Sequence, residues 1–232
     1  MEQTGSSPRL RAVVFDLDGT LLDSLEDLAD AMNCVPAEAG YPLHPLDAYR
    51  YFVGDGIEAL VRRAVPEGAR DEATLPALVD AMRDEYARCS ANKTRPYPGI
   101  PELLDALQAQ GMPFAILSNK PHAATVDLVA RLLGRWRFAT VLGARDAVPK
   151  KPHPAGALEI AGNLGLAPAA FAYVGDTPVD MGTARAAGMF AAGVLWGFRD
   201  RDELQAAGAQ ALLGTPAELL PLLYPKPRSP RR

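Results

Sequence analysis

The sequence predicts an α/β protein: a parallel sheet with helices on both faces and a helical segment inserted directly after its first strand. Three observations predict it. The apolar run Ala12–Phe15 stops abruptly at two aspartates spaced by one residue, Asp16 and Asp18. Residues 24–92 carry helical patterning and no convincing strand. Beyond residue 100, short β-branched and aromatic runs alternate with helical stretches.

Each element follows from its local pattern. Arg11–Leu17 reads as a buried strand, rich in valine and phenylalanine and ending at a glycine turn. Ser24 is placed to cap the next helix, with Asp27 three residues on, and that helix runs to about Gly40. Ile57, Leu60, Val61 and Ala64 fall at i, i+3, i+4 and i+7, one apolar helix face. Glu72–Cys89 continues the helical pattern, with Pro76 as a boundary or kink. Pro96, Pro98, Gly99 and Pro101 then mark a linker. A helix from Ile100 leads to a strand over Met112–Asn119, and a helix near 121–133 leads to a strand over Ala139–Gly143. A helix over Pro154–Leu164 precedes a strand at Phe171–Asp176, and a helix over Pro178–Gly188 precedes a strand at Met189–Gly197. Short helices near 201–207 and 215–223 close the chain. The expected organisation is a core of residues 1–22 and 93–225, a helical cap of residues 23–92, and a basic, proline-rich tail, 226–232, reading as a disordered end.

Composition narrows the function. Hydrophobic residues make up 48% of the 232, ordinary for a globular protein. The formal net charge is −4, and Lys226, Arg228, Arg231 and Arg232 all lie in the tail, so the body is more acidic still. A duplex nucleic-acid binder needs a basic face, and this acidic balance disfavours one. No apolar run approaches the roughly 20 residues that span a bilayer, and the N-terminus has no apolar signal core. Cys34 and Cys89 fall in helical segments with no metal-ligand spacing and read as buried free thiols. A reducing cytoplasm is the expected setting, with no nucleic-acid or membrane partner; a monomer and a homodimer are both compatible.

The polar residues at the strand ends carry the chemistry. In parallel α/β sheets ligands bind outside the carboxyl ends of the strands. Asp16 and Asp18 end the first strand, Ser118 and Asn119 the second, and Asp176 the "FAYVG" strand; Lys151 lies in a loop before a helix. Side chains alternate along a strand, so Asp16 and Asp18 share a face. Two close carboxylates repel unless a cation lies between them. With Asp176 as a third acid, the set is a hard-oxygen site suited to Mg2+. Donors from Ser118 and Asn119 and the charge of Lys151 suit a phosphate ester beside that metal. Asp16 is then placed as a nucleophile, and Asp18 as the acid that protonates the leaving oxygen and later activates water. Gly19 permits the sharp turn, and Thr20 braces it.

Taken together, "DLDGT" (16–20), "LSN" (117–119), "KP" (151–152) and "GDTPVD" (175–180) resemble, in order, the four motifs of the haloacid-dehalogenase superfamily. The resemblance implies a Rossmann-like core with a C1-type helical cap. It implies Asp16 as nucleophile and Asp18 as acid/base, with Mg2+ held by Asp16, the backbone carbonyl of Asp18, and Asp176. It further implies Ser118 and Lys151 on the phosphoryl group and Asp180 supporting the metal. "FVGDGIEALVRRA" (52–64), "RPYPG" (95–99), "SNKP" (118–121) and "KKPHP" (150–154) resemble the phosphoglycolate phosphatases within it, which hydrolyse 2-phosphoglycolate with Mg2+.

Several positions fit two roles. Ser118 and Asn119 also suit a helix cap, which presents free N–H groups to an anion as well. Lys151 precedes a proline as the motif requires, whereas Lys150 reads as a solvated neighbour. Asp180, three residues after Thr177, fits a capping box as well as a metal shell. Gly54, Asp55 and Gly56 form either a loop over the substrate or an ordinary turn. Arg62 and Arg63 read as solvated charge, with Arg63 a candidate for a substrate carboxylate. His44, His122 and His153 share no ligand spacing, and Trp136 and Trp196 read as packing residues.

A phosphatase of a small phosphorylated acid is therefore expected, 2-phosphoglycolate foremost. Phosphatases of sugar phosphates or nucleotides, a phosphomutase, and a non-catalytic binding protein on the same scaffold are the alternatives. Asp18 argues against a dehalogenase, and the absence of lysine from residues 24–92 argues against a phosphonatase that uses a cap lysine.

Overall fold

The computed structural model describes residues 10–38 and 40–225; the predicted basic tail lies outside the described residues. In chain order the elements are β1 (Ala12–Phe15), β2 (Leu22–Asp23), α1 (Leu25–Glu38), α2 (Leu46–Phe52), α3 (Ile57–Ala64), α4 (Leu75–Cys89) and β3 (Arg95–Pro96). They continue with α5 (Ile100–Ala109), β4 (Phe114–Pro121), α6 (His122–Leu133), β5 (Thr140–Ala144), α7 (Ala155–Leu164) and β6 (Phe171–Gly175). α8 (Pro178–Ala187), β7 (Phe190–Val194), α9 (Arg201–Ala206), β8 (Ala211–Leu213) and α10 (Leu219–Leu223) complete the chain.

Six strands form one sheet in the order β5-β4-β1-β6-β7-β8, and every pairing in it is parallel. The chain moves outward from β1 to β4 and β5, then crosses back to β6 on the other side of β1. That reversal opens a crevice at the carboxyl end of β1, where such sheets take ligands. Val13 and Phe15 pack on one sheet face with Ile100, Leu104 and Phe114. Ala12 and Val14 pack on the other face with Ile160, Tyr173 and Met181. Burial on both faces explains why β1 reads as continuous apolar sequence rather than alternation.

The inserted helices build their own core from Met32, Tyr49, Val61, Met82 and Tyr86, into which Phe198 packs from the loop after β7. Leaving and returning chains pair as a short antiparallel ladder, Leu22 with Pro96 and Asp23 with Arg95. Asp27 ties the two connections together. Its buried carboxylate accepts the backbone N–H groups of Lys93 and Thr94 and the hydroxyl of Thr94 at 2.6 Å.

The structure departs from the sequence reading in definite places. The Ser24–Asp27 capping pair does not form: Ser24 donates to Asp18 Oδ1 at 2.6 Å, and Asp27 turns to the returning chain. Strand β8, helix α2 and the β2–β3 ladder form without a strong pattern of their own in the sequence. β4 continues past Asn119 to Pro121. The closing helix is a 3-10 turn, Pro216–Glu218, leading into α10. Both cysteines are free, but Cys34 is exposed and Cys89 only half-buried. The tryptophans pack as expected, Trp136 donating to Asp105 Oδ1 and Trp196 to the Thr20 carbonyl. No helix among the described residues is long and apolar enough to cross a membrane.

Candidate active site

The site forms where β1, β4 and β6 end. Asp16 follows β1, with its backbone N–H bonded to Val174 O of β6 at 2.9 Å. The chain then folds into a tight turn in which the N–H groups of Leu21 and Leu22 both reach Leu17 O. Gly19 adopts φ +84° there, a left-handed conformation that costs glycine little. A methyl group at Gly19 would strike the Asp176 carboxylate and the Phe198 ring. The close backbone approach thus seats Asp176, which accepts the Thr20 hydroxyl (3.1 Å) on Oδ1 and the Phe198 N–H (2.8 Å) on Oδ2.

Lys151 is the central cation. Its Nζ lies 2.7 Å from both Asp16 Oδ1 and Asp180 Oδ1, and its side chain is 3% exposed. Asn119 fixes the loop that carries it, accepting the Lys151 N–H at 2.9 Å and donating to the Lys151 carbonyl at 3.1 Å. The Asp180 Oδ2 accepts the Thr177 N–H and hydroxyl. Asp180 therefore starts α8 and orients the lysine at once, so both of its oxygens are engaged within the protein.

Asp16, Asp176 and Asp180 each present an oxygen within 4.8 Å of the others. Burial, then the charge of Asp180, pushes Asp16 well above the usual carboxylate range, opposed by Lys151. Burial and Asp180 likewise raise Asp176 to about 7. Burial works against a charged Lys151, but Asp16 and Asp180 outweigh it and hold the ammonium well above its ordinary value. Three buried carboxylates around one lysine leave negative charge uncompensated, and an all-oxygen set of this kind fits a divalent cation such as Mg2+.

The remaining acid faces elsewhere. Asp18 Oδ2 lies 3.2 Å from Lys120 Nζ, and its Oδ1 takes the Ser24 hydroxyl. Its carboxylate is not part of the three-acid cluster. Asp16, Asp18, Ser118, Asn119 and Lys120 line the floor of a cavity of about 530 Å³. The inserted helices supply its roof, with Val53, Gly54, Gly56, Leu60 and Tyr86. Asn119 also donates to Gly54 O at 3.2 Å, so core and insertion touch over the site.

The sequence-predicted residues divide accordingly. Asp16, Ser118, Asn119, Lys151, Asp176 and Asp180 converge; Asp18 lines the same cavity, but its carboxylate turns to Lys120 and Ser24 instead of joining the acid set as expected. Gly54 and Gly56 line the cavity, whereas Asp55 does not; its carboxylate lies 2.5 Å from Arg63 Nη2. Arg63 is thereby turned from the cavity, and it also donates to Phe52 O at 3.0 Å and Tyr51 O at 3.5 Å. Thr20 is fully buried behind Asp176 rather than facing a ligand. Lys150 is exposed. None of the histidines lines the cavity: His122 accepts the Gly143 N–H of β5, His153 accepts the Ala155 N–H within its own turn, and His44 contacts Ala64 O in the insertion. Lys120 and Tyr86 also line the cavity and carry little signal in the sequence. The only available signal was a cation between the Ser118-Asn119 pair and a proline.

The model of the haloacid dehalogenase-like hydrolase family matches residues 13–194. A phosphoglycolate phosphatase of Chromobacterium violaceum is 37% identical over 219 residues, covering 92% of this chain and 96% of that protein. A phosphoglycolate phosphatase of Pseudomonas putida is 35% identical, covering 94% and 80% respectively. Among solved structures, a predicted phosphoglycolate phosphatase from Haemophilus somnus superposes with TM-score 0.84 at 28% identity, covering 91% of this chain and 96% of that one. A haloacid dehalogenase-like hydrolase from Streptococcus pneumoniae does so with TM-score 0.81 at 25% identity, covering 91% and 97%.

Proposed function

We propose that this chain, which belongs to the haloacid dehalogenase-like hydrolases, is a Mg2+-dependent phosphatase that hydrolyses 2-phosphoglycolate to glycolate and phosphate. The observation that carries the chemistry is the buried Asp16–Lys151 contact beside Asp176, with Asp16 on the floor of a cavity roofed by the inserted helices. The phosphoglycolate phosphatases among its relatives support the substrate.

In this reading an Asp16 oxygen attacks phosphorus while the bond to the leaving oxygen breaks, and Asp18 donates its proton to that oxygen. Asp18 then accepts a proton from water, the water oxygen attacks phosphorus, and the bond to Asp16 breaks to release phosphate. Lys151 and Ser118 hold the phosphoryl oxygens in line with Asp16. Asp16, the Asp18 carbonyl and Asp176 would hold Mg2+, which when bound offsets phosphoryl charge and favours the ionised Asp16. Asn119 and Asp180 act through Lys151, one fixing its backbone and the other its ammonium. The 23–92 segment serves as a cap that excludes bulk water.

A kcat/KM panel of phosphorylated acids, sugars and nucleotides, with and without Mg2+, tests the proposal. Preference for 2-phosphoglycolate that disappears on chelation is expected; equal or metal-independent turnover rejects it. Asp16→Asn should lower turnover at least about 10³-fold, as loss of a nucleophile does, while circular dichroism stays unchanged.

A further inference from the structure

We infer that Lys120 and Tyr86 form a carboxylate anchor across the core–insertion boundary, selecting phosphoesters whose leaving group bears a carboxylate next to the ester carbon. The inference rests on the phosphatase reading and deepens it by assigning the residues that choose the substrate.

Lys120 sits at the end of β4, its side chain 6% exposed, and donates to the Tyr86 hydroxyl of α4 at 2.8 Å. The ammonium also stands 4.2 Å from the Tyr86 ring centroid, within cation–π range. Both residues line the cavity. Donor counting then matters. A lysine ammonium has three N–H donors; Asp18 and Tyr86 take two. The Tyr86 oxygen accepts from Lys120, which leaves its own proton to donate. No acceptor among the described residues takes either the third lysine N–H or the tyrosine O–H. Two donors and a positive charge therefore remain beside the cavity floor, enough for one carboxylate.

Position fixes which carboxylate. The lysine reaches Asp18 Oδ2 at 3.2 Å, and Asp18 is the residue that serves the leaving oxygen. In 2-phosphoglycolate the carboxyl carbon lies two bonds from that oxygen, so an ester held at Asp16 brings its carboxylate alongside Lys120. The other cation lining the cavity, Arg83, is half-exposed and paired with Asp80 at 2.7 Å. Burial raises Tyr86 to about 12. The Tyr86 hydroxyl thus keeps a proton to donate at neutral pH. Because the donors come from different layers, one bound carboxylate also draws the insertion onto the core.

The test compares 2-phosphoglycolate with 2-hydroxyethyl phosphate, which replaces the carboxylate with a neutral alcohol. In Lys120→Met the kcat/KM ratio of the two esters should fall about 10- to 100-fold, the range of a charged hydrogen bond. In Tyr86→Phe, which keeps the ring and the fold, it should fall about 3- to 10-fold, the range of a neutral one. An unchanged ratio in both variants, with both esters slowed alike, overturns the anchor and leaves Lys120 as a partner of Asp18 alone. Calorimetric binding of the two esters to Asp16→Asn separates this from the catalytic reading. Tighter binding of the carboxylate ester, lost on adding Tyr86→Phe, upholds the anchor whatever the wild type turns over. Equal binding of the two esters overturns it.

Discussion

Lys151 Nζ lies 2.7 Å from Asp16 Oδ1, joining the end of β1 to a loop far along the chain. The same ammonium reaches Asp180 at 2.7 Å, so one buried cation serves two carboxylates. Removing one member of a buried ion pair strands the others at a cost of about 3–5 kcal/mol. Lys151→Met should lose that much stability, read from the urea midpoint. Mg2+ should restore part of it by engaging Asp16. Turnover should drop about 10²–10³-fold in single-turnover assays, since the lost charge acts on the phosphoryl group. Stability equal to wild type without metal would contradict the pairing.

The Asp176 carboxyl, raised to about 7 by burial and Asp180, makes a pH prediction with a definite sign. Its folded pKa exceeds the unfolded value of about 3.9, so the folded state holds this proton more tightly. The stabilisation is complete below about pH 4 and is lost as pH rises through about 7. Asp16, also raised, acts in the same direction. In chelator, stability should therefore fall as pH rises from about 4 to about 7, by up to about 1.4 kcal/mol per pH unit for each such group, read as a falling melting temperature. Mg2+ competes with the proton, so its stabilising increment should be larger at the higher pH. An increment that shrinks with pH would contradict the cluster.

Gly19 should tolerate no side chain. Its φ of +84° and the Asp176 carboxylate and Phe198 ring in the path of a methyl group both oppose alanine. Gly19→Ala should destabilise by about 2–4 kcal/mol, combining backbone strain with overpacking. Mg2+ affinity should weaken in parallel as Asp176 is displaced, both read from thermal melts across a Mg2+ titration.

Asp27 should control how the insertion is attached. It is 1% exposed and accepts Lys93 N, Thr94 N and Thr94 Oγ1 at the junction. Asp27→Ala leaves those donors buried without an acceptor, costing about 1–3 kcal/mol for the backbone donors. Faster amide hydrogen exchange should appear at residues 92–96 before it appears in β1. Uniform acceleration across the sheet would show that the junction is not a separate unit.

The sequence by itself determined the chemistry and the layout. Asp16, Asp18, Ser118 and Asp176 follow apolar runs, and parallel strands bring their carboxyl ends to one edge, so these residues had to meet. The helical insertion was equally legible, because its apolar spacing holds over several turns and needs no distant partner. Short elements were not: β8 is three residues, and a strand of that length is defined by β7 beside it rather than by its own pattern. Side-chain partners were decided only by the tertiary structure. Arg63 turns to Asp55, Ser24 to Asp18, and Asp27 to the chain returning at Thr94. Lys120 has no partner legible in the sequence; α4 sets Tyr86 against it. A charged group binds whichever opposite charge or donor lies within about 3 Å, and that neighbour depends on where remote segments pack. Periodicity along the chain carries no record of that distance.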